Sequence, residues 1–404
     1  MIKLKRYFIY GGFMSNYRRY AGLLGLLLVC GPALAQLEST PSTAAITVDN
    51  LPAGYPLYKQ QMTYSQSWLS GHFHQFPAWK QQTRALLRQA LLTPNSTKPF
   101  QDEVVAQEDR GTYIAEKIRF NLTDESRVNA LVLIPKTSGK HAAILLLHDH
   151  GAKFDIGKEK MIKPWGNAKQ LASAQAWAHK YFTDQFVGDE LAKRGYVVLC
   201  VDALGWGDRG PIAYENQQAL ASNFFNLGRS LAGLMAYEDM RSVDYLADRA
   251  DVDVKRVGVV GFSMGAYRAW QVAALSSKVH ATAAISWFGT YQGLMTPGNN
   301  VLRGQSSFYM LHPGIASKLD FPDIASLTAP NPLLLFNGGD DKLFPESSVM
   351  AGYLKVHQIW KSQHAEDKLE TKIWPHLGHV FFKEQQDVVF PWLDKWLKPE
   401  QLKS

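Results

Sequence analysis

The sequence predicts an α/β fold: a doubly wound, mostly parallel sheet with helices on both faces. Three observations carry this reading. "HAAILLLHDHG" (141–151), "YVVLCVDA" (196–203) and "RVGVVGFS" (256–263) open on continuous apolar runs, as expected of strands buried on both faces. Helical patterns alternate with them, in "DELAKRG", "LGRSLAGLMAYEDMRSVDYLADR" and "MGAYRAWQVAAL". Polar residues collect just past the strand ends, where open sheets of this kind bind ligands.

The elements follow in chain order. Residues 1–35 read as a signal peptide. Arg18 and Arg19 form its charged end, Leu23 to Val29 its apolar run, and Ala33-Leu34-Ala35 its cleavage site. The expected location is the periplasm or the exterior. No later segment is long and apolar enough for a membrane helix, so no stable membrane insertion is expected after cleavage. The leader carries Lys3, Lys5, Arg6, Arg18 and Arg19 and no acid. Of 43 basic residues these five leave with it, so 38 remain against 36 acidic ones, and the net charge of +7 falls to +2. That excludes a nucleic-acid footprint. Cys200 is the one cysteine left, too few for an internal disulfide, and its apolar setting predicts a buried thiol.

Residues 36–111 are expected to form an N-terminal helical extension packed on the core. Trp79, Leu86, Leu87 and Leu91 mark a helix face in it, and no strand is expected there. The catalytic domain is expected over 112–404. It opens with two alternating stretches, "TYIAEKIRFNL" and "RVNALVLIP", that read as antiparallel strands. After the buried strands and helices come "VHATAAISWFG", "NPLLLFNGG" and "LETKIWPHLGH", then "VVFPWLDKWL". Inserted loops 152–186 and 290–327 follow strand ends and are expected to overhang the site.

Gly261-Phe262-Ser263-Met264-Gly265 lies where a buried strand passes into a helix. A sharp turn there leaves no room for flanking side chains, hence the glycines, and lifts the serine hydroxyl above the sheet edge. Serine is a weak nucleophile until a base takes its proton. In this arrangement an acid and then a histidine follow along the chain. Asp340 and Asp341 are the candidate acids, Asp341 being favoured as further into the loop. His376 and His379 are the candidate bases, His379 being favoured because it follows a glycine past a strand end. The backbone N–H of Met264 and that of His150, with Gly151 as alternative, are the candidate oxyanion donors. "HDH" (148–150) is not read as a metal site, because neighbouring strand side chains point opposite ways. Trp206, Trp287, Tyr291 and Tyr309 are candidate platforms for a sugar ring, with plain packing as the alternative. Asp208 and Arg209 are expected to pair with each other or to pin a loop.

From about residue 112 to 400 the chain resembles the α/β-hydrolases of the dienelactone-hydrolase-like and acetyl-xylan-esterase-like group. The resemblance lies in "LLLHDHGAKFD", "GDELAKRGYVVLCVDALGWGDRG", "GFSMGAYRAW", "GGDDKLFP" and "HLGHVFF". It implies an α/β-hydrolase fold with Ser263, Asp341 and His379 as the triad. The resulting expectation is an exported serine esterase, without metal or organic cofactor, acting on small-molecule or oligosaccharide esters such as acetylated carbohydrate. Two alternatives stand beside it: a serine peptidase of the prolyl-oligopeptidase kind, and a catalytically silent carbohydrate-binding protein on the same fold.

Overall fold

The computed structural model describes residues 51, 54–91, 96–297, 301–302 and 304–398. The expected signal peptide lies outside them. Nine strands form one sheet among these residues: β1 (Glu103–Asp109), β2 (Tyr113–Asn121), β3 (Arg127–Pro135), β4 (His141–Leu147), β5 (Val197–Val201), β6 (Val252–Phe262), β7 (Ala281–Ile285), β8 (Leu333–Gly338) and β9 (Leu369–Trp374). Their spatial order is β1-β2-β3-β5-β4-β6-β7-β8-β9. The first three strands and the β3–β5 pair are antiparallel. From β5 to β9 every pairing is parallel. The predicted mostly parallel α/β sheet is therefore present.

The apolar runs are explained by the layers on either side. Along β4, Ala142, Ile144 and Leu146 join a cluster with Trp177, Phe182, Leu191 and Leu393. Ala143, Leu145 and Leu147 join another, with Val243, Leu246, Ala269 and Val272. Successive side chains of a strand point to opposite faces, so covering both faces requires an unbroken apolar sequence. One cover contains the helices Ala168–Phe182, Val187–Lys193 and Lys383–Leu397; the other contains Leu231–Asp248 and Met264–Leu275. After β4 the chain crosses to β5 on one side, then returns to β6 on the other. The carboxyl ends of β4 and β6 thus flank the point where the winding reverses, the usual place for a ligand crevice.

Three features refine the expectation. Residues 103–109, expected within the extension, form β1 and pair with β2. This edge strand is largely exposed and carries Glu103, Glu108 and Asp109. With neither face in the core, no apolar period marks it; charge suits an open sheet edge. The second concerns Asp208 and Arg209, which do not pair with each other but pin their loop, the other arrangement expected. Asp208 meets Lys158 at 2.8 Å, and Arg209 forms two bonds to Glu238, at 2.6 and 2.7 Å. Third, the inserted segments are folded rather than open. Residues 152–186 contain the helix Ala168–Phe182, and in 290–327 the Tyr291 ring stacks on Phe321 at 3.7 Å.

The helix Phe76–Ala90 buries Phe76, Trp79, Thr83 and Leu87. Its Arg84 donates to the carbonyls of Ala274 (2.8 Å) and Leu327 (3.0 Å), and its Arg88 to that of Leu275 (2.9 Å). Ala274 and Leu275 end the helix Met264–Leu275, so the guanidinium groups satisfy carbonyls at its negative end. The same helix is tied sideways by Arg268, which bonds Asp239 through two contacts of 2.9 and 2.7 Å in a fully enclosed setting. Replacing Arg268 by Met would leave the Asp239 carboxylate buried without its partner. The expected loss is about 3–5 kcal/mol of unfolding free energy, measured by urea denaturation. The double replacement Arg268→Met with Asp239→Leu is expected to recover most of that loss, and equal losses in both variants would refute the electrostatic explanation.

Candidate active site

The turn after β6 sets the site. Ser263 has φ 56° and ψ −124°, a conformation that costs a non-glycine residue about 1–3 kcal/mol. Its neighbours hold it there. The Ser263 N–H donates to the Ile285 carbonyl of β7 at 2.8 Å. A side chain on Gly261 would stand 2.0 Å from the Gly265 carbonyl oxygen, and one on Gly265 would stand 1.8 Å from that of Leu147. Only glycine permits these approaches. They press the helix Met264–Leu275 against the ends of β4 and β6 at once.

The Ser263 hydroxyl donates to His379 Nε2 at 2.7 Å, and His379 Nδ1–H donates to Asp341 Oδ2 at 2.6 Å. A carboxylate only accepts, so Nδ1 carries the proton and Nε2 is left as acceptor. Asp341 follows β8 and is buried, its other oxygen accepting from the Leu343 N–H at 3.0 Å. Asp340 beside it is exposed, as is His376. The imidazole is held between the rings of Phe262 and Phe344, whose centroids are 5.1 and 6.0 Å from its own. Burial pulls its pKa down, but the Asp341 charge and hydrogen bond and the Asp149 charge outweigh this. The net displacement is upward from the ordinary 6.5.

Above Ser263 is a cavity of about 220 Å³. Asp149, His150, Gly151 and Met264 line it beside the serine. From the inserted segments come Trp177, Tyr181, Val301 and Met310. No lysine or arginine is among the described lining residues. Two of the lysines of 152–186 are turned inward, Lys158 and Lys160, which are buried in ion pairs, while Lys163, Lys169 and Lys180 face solvent. The backbone N–H groups of His150 and Met264 make no hydrogen bond to another described residue. The His150 ring is engaged elsewhere. Its Nδ1 accepts from Ala152 N–H at 3.0 Å and its Nε2–H donates to Gln217 Oε1. Burial lowers its pKa to about 4, so it is neutral.

The sugar platforms expected at Trp206, Trp287 and Tyr291 require correction. All three are buried in the core and none lines the cavity. Trp206 donates to the His150 carbonyl at 3.1 Å, and Trp287 packs against Tyr267 and Phe321 at 4.9 Å each. Tyr309, also buried, donates to the Leu204 carbonyl at 3.2 Å. Large rings beneath folded insertions contribute more by leaving water than by waiting for ligand. The rings that do line the cavity are Trp177, Tyr181, Tyr214 and Phe262. Trp177 and Tyr181 are four residues apart on one helix and touch at 4.4 Å between centroids. That spacing is visible in "AWAHKY" and was the available signal.

Metal ligation has little to build on. The imidazole of His148 accepts from Ala203 N–H and donates to the Asp149 carbonyl, which uses both ring nitrogens. Glu159, Asp202 and Asp208 converge closely enough to hold a cation, but the Lys158 ammonium bonds all three at 2.7–2.8 Å. The lysine already supplies the charge such a group would recruit.

An NMR titration of the His379 ring is expected to give a midpoint above 6.5. In Asp341→Asn the burial remains and the stabilising carboxylate is gone, so the midpoint falls below that value. A downward shift no greater than that of Asp340→Asn would show that Asp341 does not govern the imidazole.

The comparisons with known proteins agree with this fold. The chain matches the abhydrolase family model over residues 58–376. It is 28% identical over 301 residues to the provisionally named hydrolase YtaP of Bacillus subtilis (strain 168), across 74% of this chain and 94% of that one. Two solved structures share its fold. One is a provisionally assigned acetyl xylan esterase from Bacteroides fragilis NCTC 9343, with TM-score 0.62 and 20% identity over 80% of this chain and 82% of that one. The other is a glucuronoyl esterase from Solibacter usitatus, with TM-score 0.56 and 14% identity over 88% of this chain and 98% of that one. With the family model covering most of the sheet and the β6 turn, the chain belongs to the abhydrolase family, within the α/β-hydrolase superfamily.

Proposed function

We propose that the protein is an exported serine esterase that removes small acyl groups, acetyl foremost, from carbohydrate esters. The observation that carries the reading is the unbroken hydrogen-bond path from Ser263 through His379 to Asp341 at the floor of a small cavity. Each step uses groups already in place. Ser263 Oγ attacks the ester carbonyl while His379 Nε2 takes its proton. The carbonyl oxygen becomes an oxyanion that the Met264 and His150 N–H groups receive. The C–O bond to the alcohol breaks, and the imidazolium returns the proton to the leaving oxygen. Water then attacks the acyl-serine with His379 again as base, releasing the acid and restoring the hydroxyl. Asp341 keeps the imidazole in the right tautomer and stabilises its charged form.

The carbohydrate alcohol is supported by the names of two structural relatives, acetyl xylan esterases, while the glucuronoyl esterases place their sugar on the acyl side. Export is supported by the leader pattern of residues 1–35. The small acyl group is supported by size. A cavity of about 220 Å³ walled by Trp177, Tyr181, Val301 and Met310 suits a short acyl group better than a long one. Asp149, a carboxylate on the cavity wall that could hold a peptide amine, is bonded to Trp177 and Lys160 instead, which disfavours a peptidase.

Ser263→Ala is expected to stay folded and lose ester hydrolysis by several orders of magnitude. Retention of more than a few per cent of turnover would remove Ser263 as nucleophile. Across acetyl, butyryl and octanoyl esters of one alcohol, kcat/KM should be highest for acetyl and fall steeply at octanoyl. The first step down is expected to be modest, since a methylene contact is worth about 1–3 kcal/mol. A maximum at octanoyl would reject the size argument, cleavage of a dipeptide amide would favour a peptidase, and a uronoyl ester preferred to acetyl would move the acyl class.

A further inference from the structure

We propose that Lys160 is a positioning residue: its ammonium fixes the two peptide units after β4 so that the N–H groups of His150 and Gly151 face Ser263. The inference rests on the reading of Ser263 as nucleophile. Lys160 lies in the 152–186 segment and is fully buried. Its Nζ donates to the Asp149 carbonyl at 3.1 Å and to the His150 carbonyl at 3.0 Å, and lies 3.3 Å from Asp149 Oδ2. An ammonium has three donors, and here three oxygens take them. The rings of Trp177 and Trp206 close around it, their centroids 4.8 and 5.9 Å from Nζ.

The consequence follows from peptide geometry. In a trans peptide the carbonyl and the next N–H point in opposite directions. Both peptides here are trans, the cis bonds of the described chain being at Gly210-Pro211 and Ala329-Pro330. An Asp149 carbonyl held toward Lys160 therefore turns the His150 N–H away from it. A His150 carbonyl held likewise turns away the N–H of Gly151. These residues line the cavity with Ser263 and Met264, and neither N–H bonds another described residue. Further donors reinforce the same two carbonyls: His148 Nδ1–H reaches that of Asp149 at 2.8 Å, and Trp206 Nε1–H that of His150 at 3.1 Å. Gly151 completes the turn at φ +57°, where a side chain would lie 2.4 Å from the Trp177 ring. A cation on the carbonyl side also polarises each peptide, which strengthens the opposing N–H as a donor.

Lys160→Met keeps the length of the stem and removes the charge and all three donors. On a nitrophenyl acetate, kcat is expected to fall ten- to a hundredfold with KM within about threefold, because the oxyanion contact forms only in the transition state. Trp206→Phe removes one donor to the His150 carbonyl and keeps an aromatic ring in its place. A smaller fall in kcat, three- to tenfold at constant KM, is expected there. Melting temperatures identify variants that fail to fold; should Lys160→Met be one, Trp206→Phe decides alone. A folded Lys160→Met with more than half of wild-type kcat, or a rise in KM at constant kcat, overturns the inference. So does an unchanged kcat in Trp206→Phe if Lys160→Met does not fold. Ser263→Ala in the same assay keeps the two questions apart. If it is as active as wild type, the serine-esterase reading fails; if it is inactive while Lys160→Met is not, only the positioning role of Lys160 fails.

Discussion

Much of the site depends on one close approach. Gly265 lies against the Leu147 carbonyl at a distance that no side chain would permit, and Gly261 nests against Gly265 in the same way. The contact joins three elements with different partners in the fold: the end of β4, the end of β6 and the first turn of the helix Met264–Leu275. Once they are joined, the Ser263 turn has no relaxed alternative, and the strained φ of 56° is held by the packing around it. The loop after β4 then starts from a fixed point, and β8 and the segment after β9 bring Asp341 and His379 to the same edge.

Around this contact the protein buries a series of ion pairs: Lys160 with Asp149, Lys158 with Asp202, Arg209 with Glu238 and Arg268 with Asp239. Taking such charges out of water costs several kcal/mol for each ion, and the mutual attraction often does no more than offset it. Apolar residues of similar volume would serve stability as well. What apolar residues cannot do is hold backbone carbonyls in a chosen direction or balance a carboxylate near an imidazole. The pairs lie on the loops that follow β4 and β5 and on the helices behind Ser263, so rigidity is concentrated where geometry matters most.

The legibility of the sequence followed the same physics. Strands β4 to β8 could be read because burial on both faces forces an uninterrupted apolar run. The order of serine, aspartate and histidine could be read because each follows a strand end, and strand ends are the best-defined landmarks in such a sheet. β1 was hidden because an exposed edge strand needs only backbone pairing, which leaves no pattern in side chains. Trp206, Trp287 and Tyr291 were misplaced because a ring in a loop has no period to tell packing from waiting. The pairings of Lys158 with Asp202 and of Lys160 with Asp149 were not legible, because the partners lie 44 and 11 residues away.

The arginines of the helix Phe76–Ala90 have a consequence for how the chain assembles. Arg84 and Arg88 reach carbonyls 190 and 187 residues downstream, and Arg84 reaches another at a separation of 243. Contacts of such span close loops of more than a third of the chain, and their entropic cost is met before they return any stability. A helix that emerges early in synthesis is thus among the last to find its place. Until the strands and helices up to about residue 330 have formed, its tryptophan-bearing face has nowhere to dock. The helix Phe76–Ala90 acts as a latch that closes on an otherwise assembled sheet, and its engagement reports that the helix Met264–Leu275 is complete to its last turn.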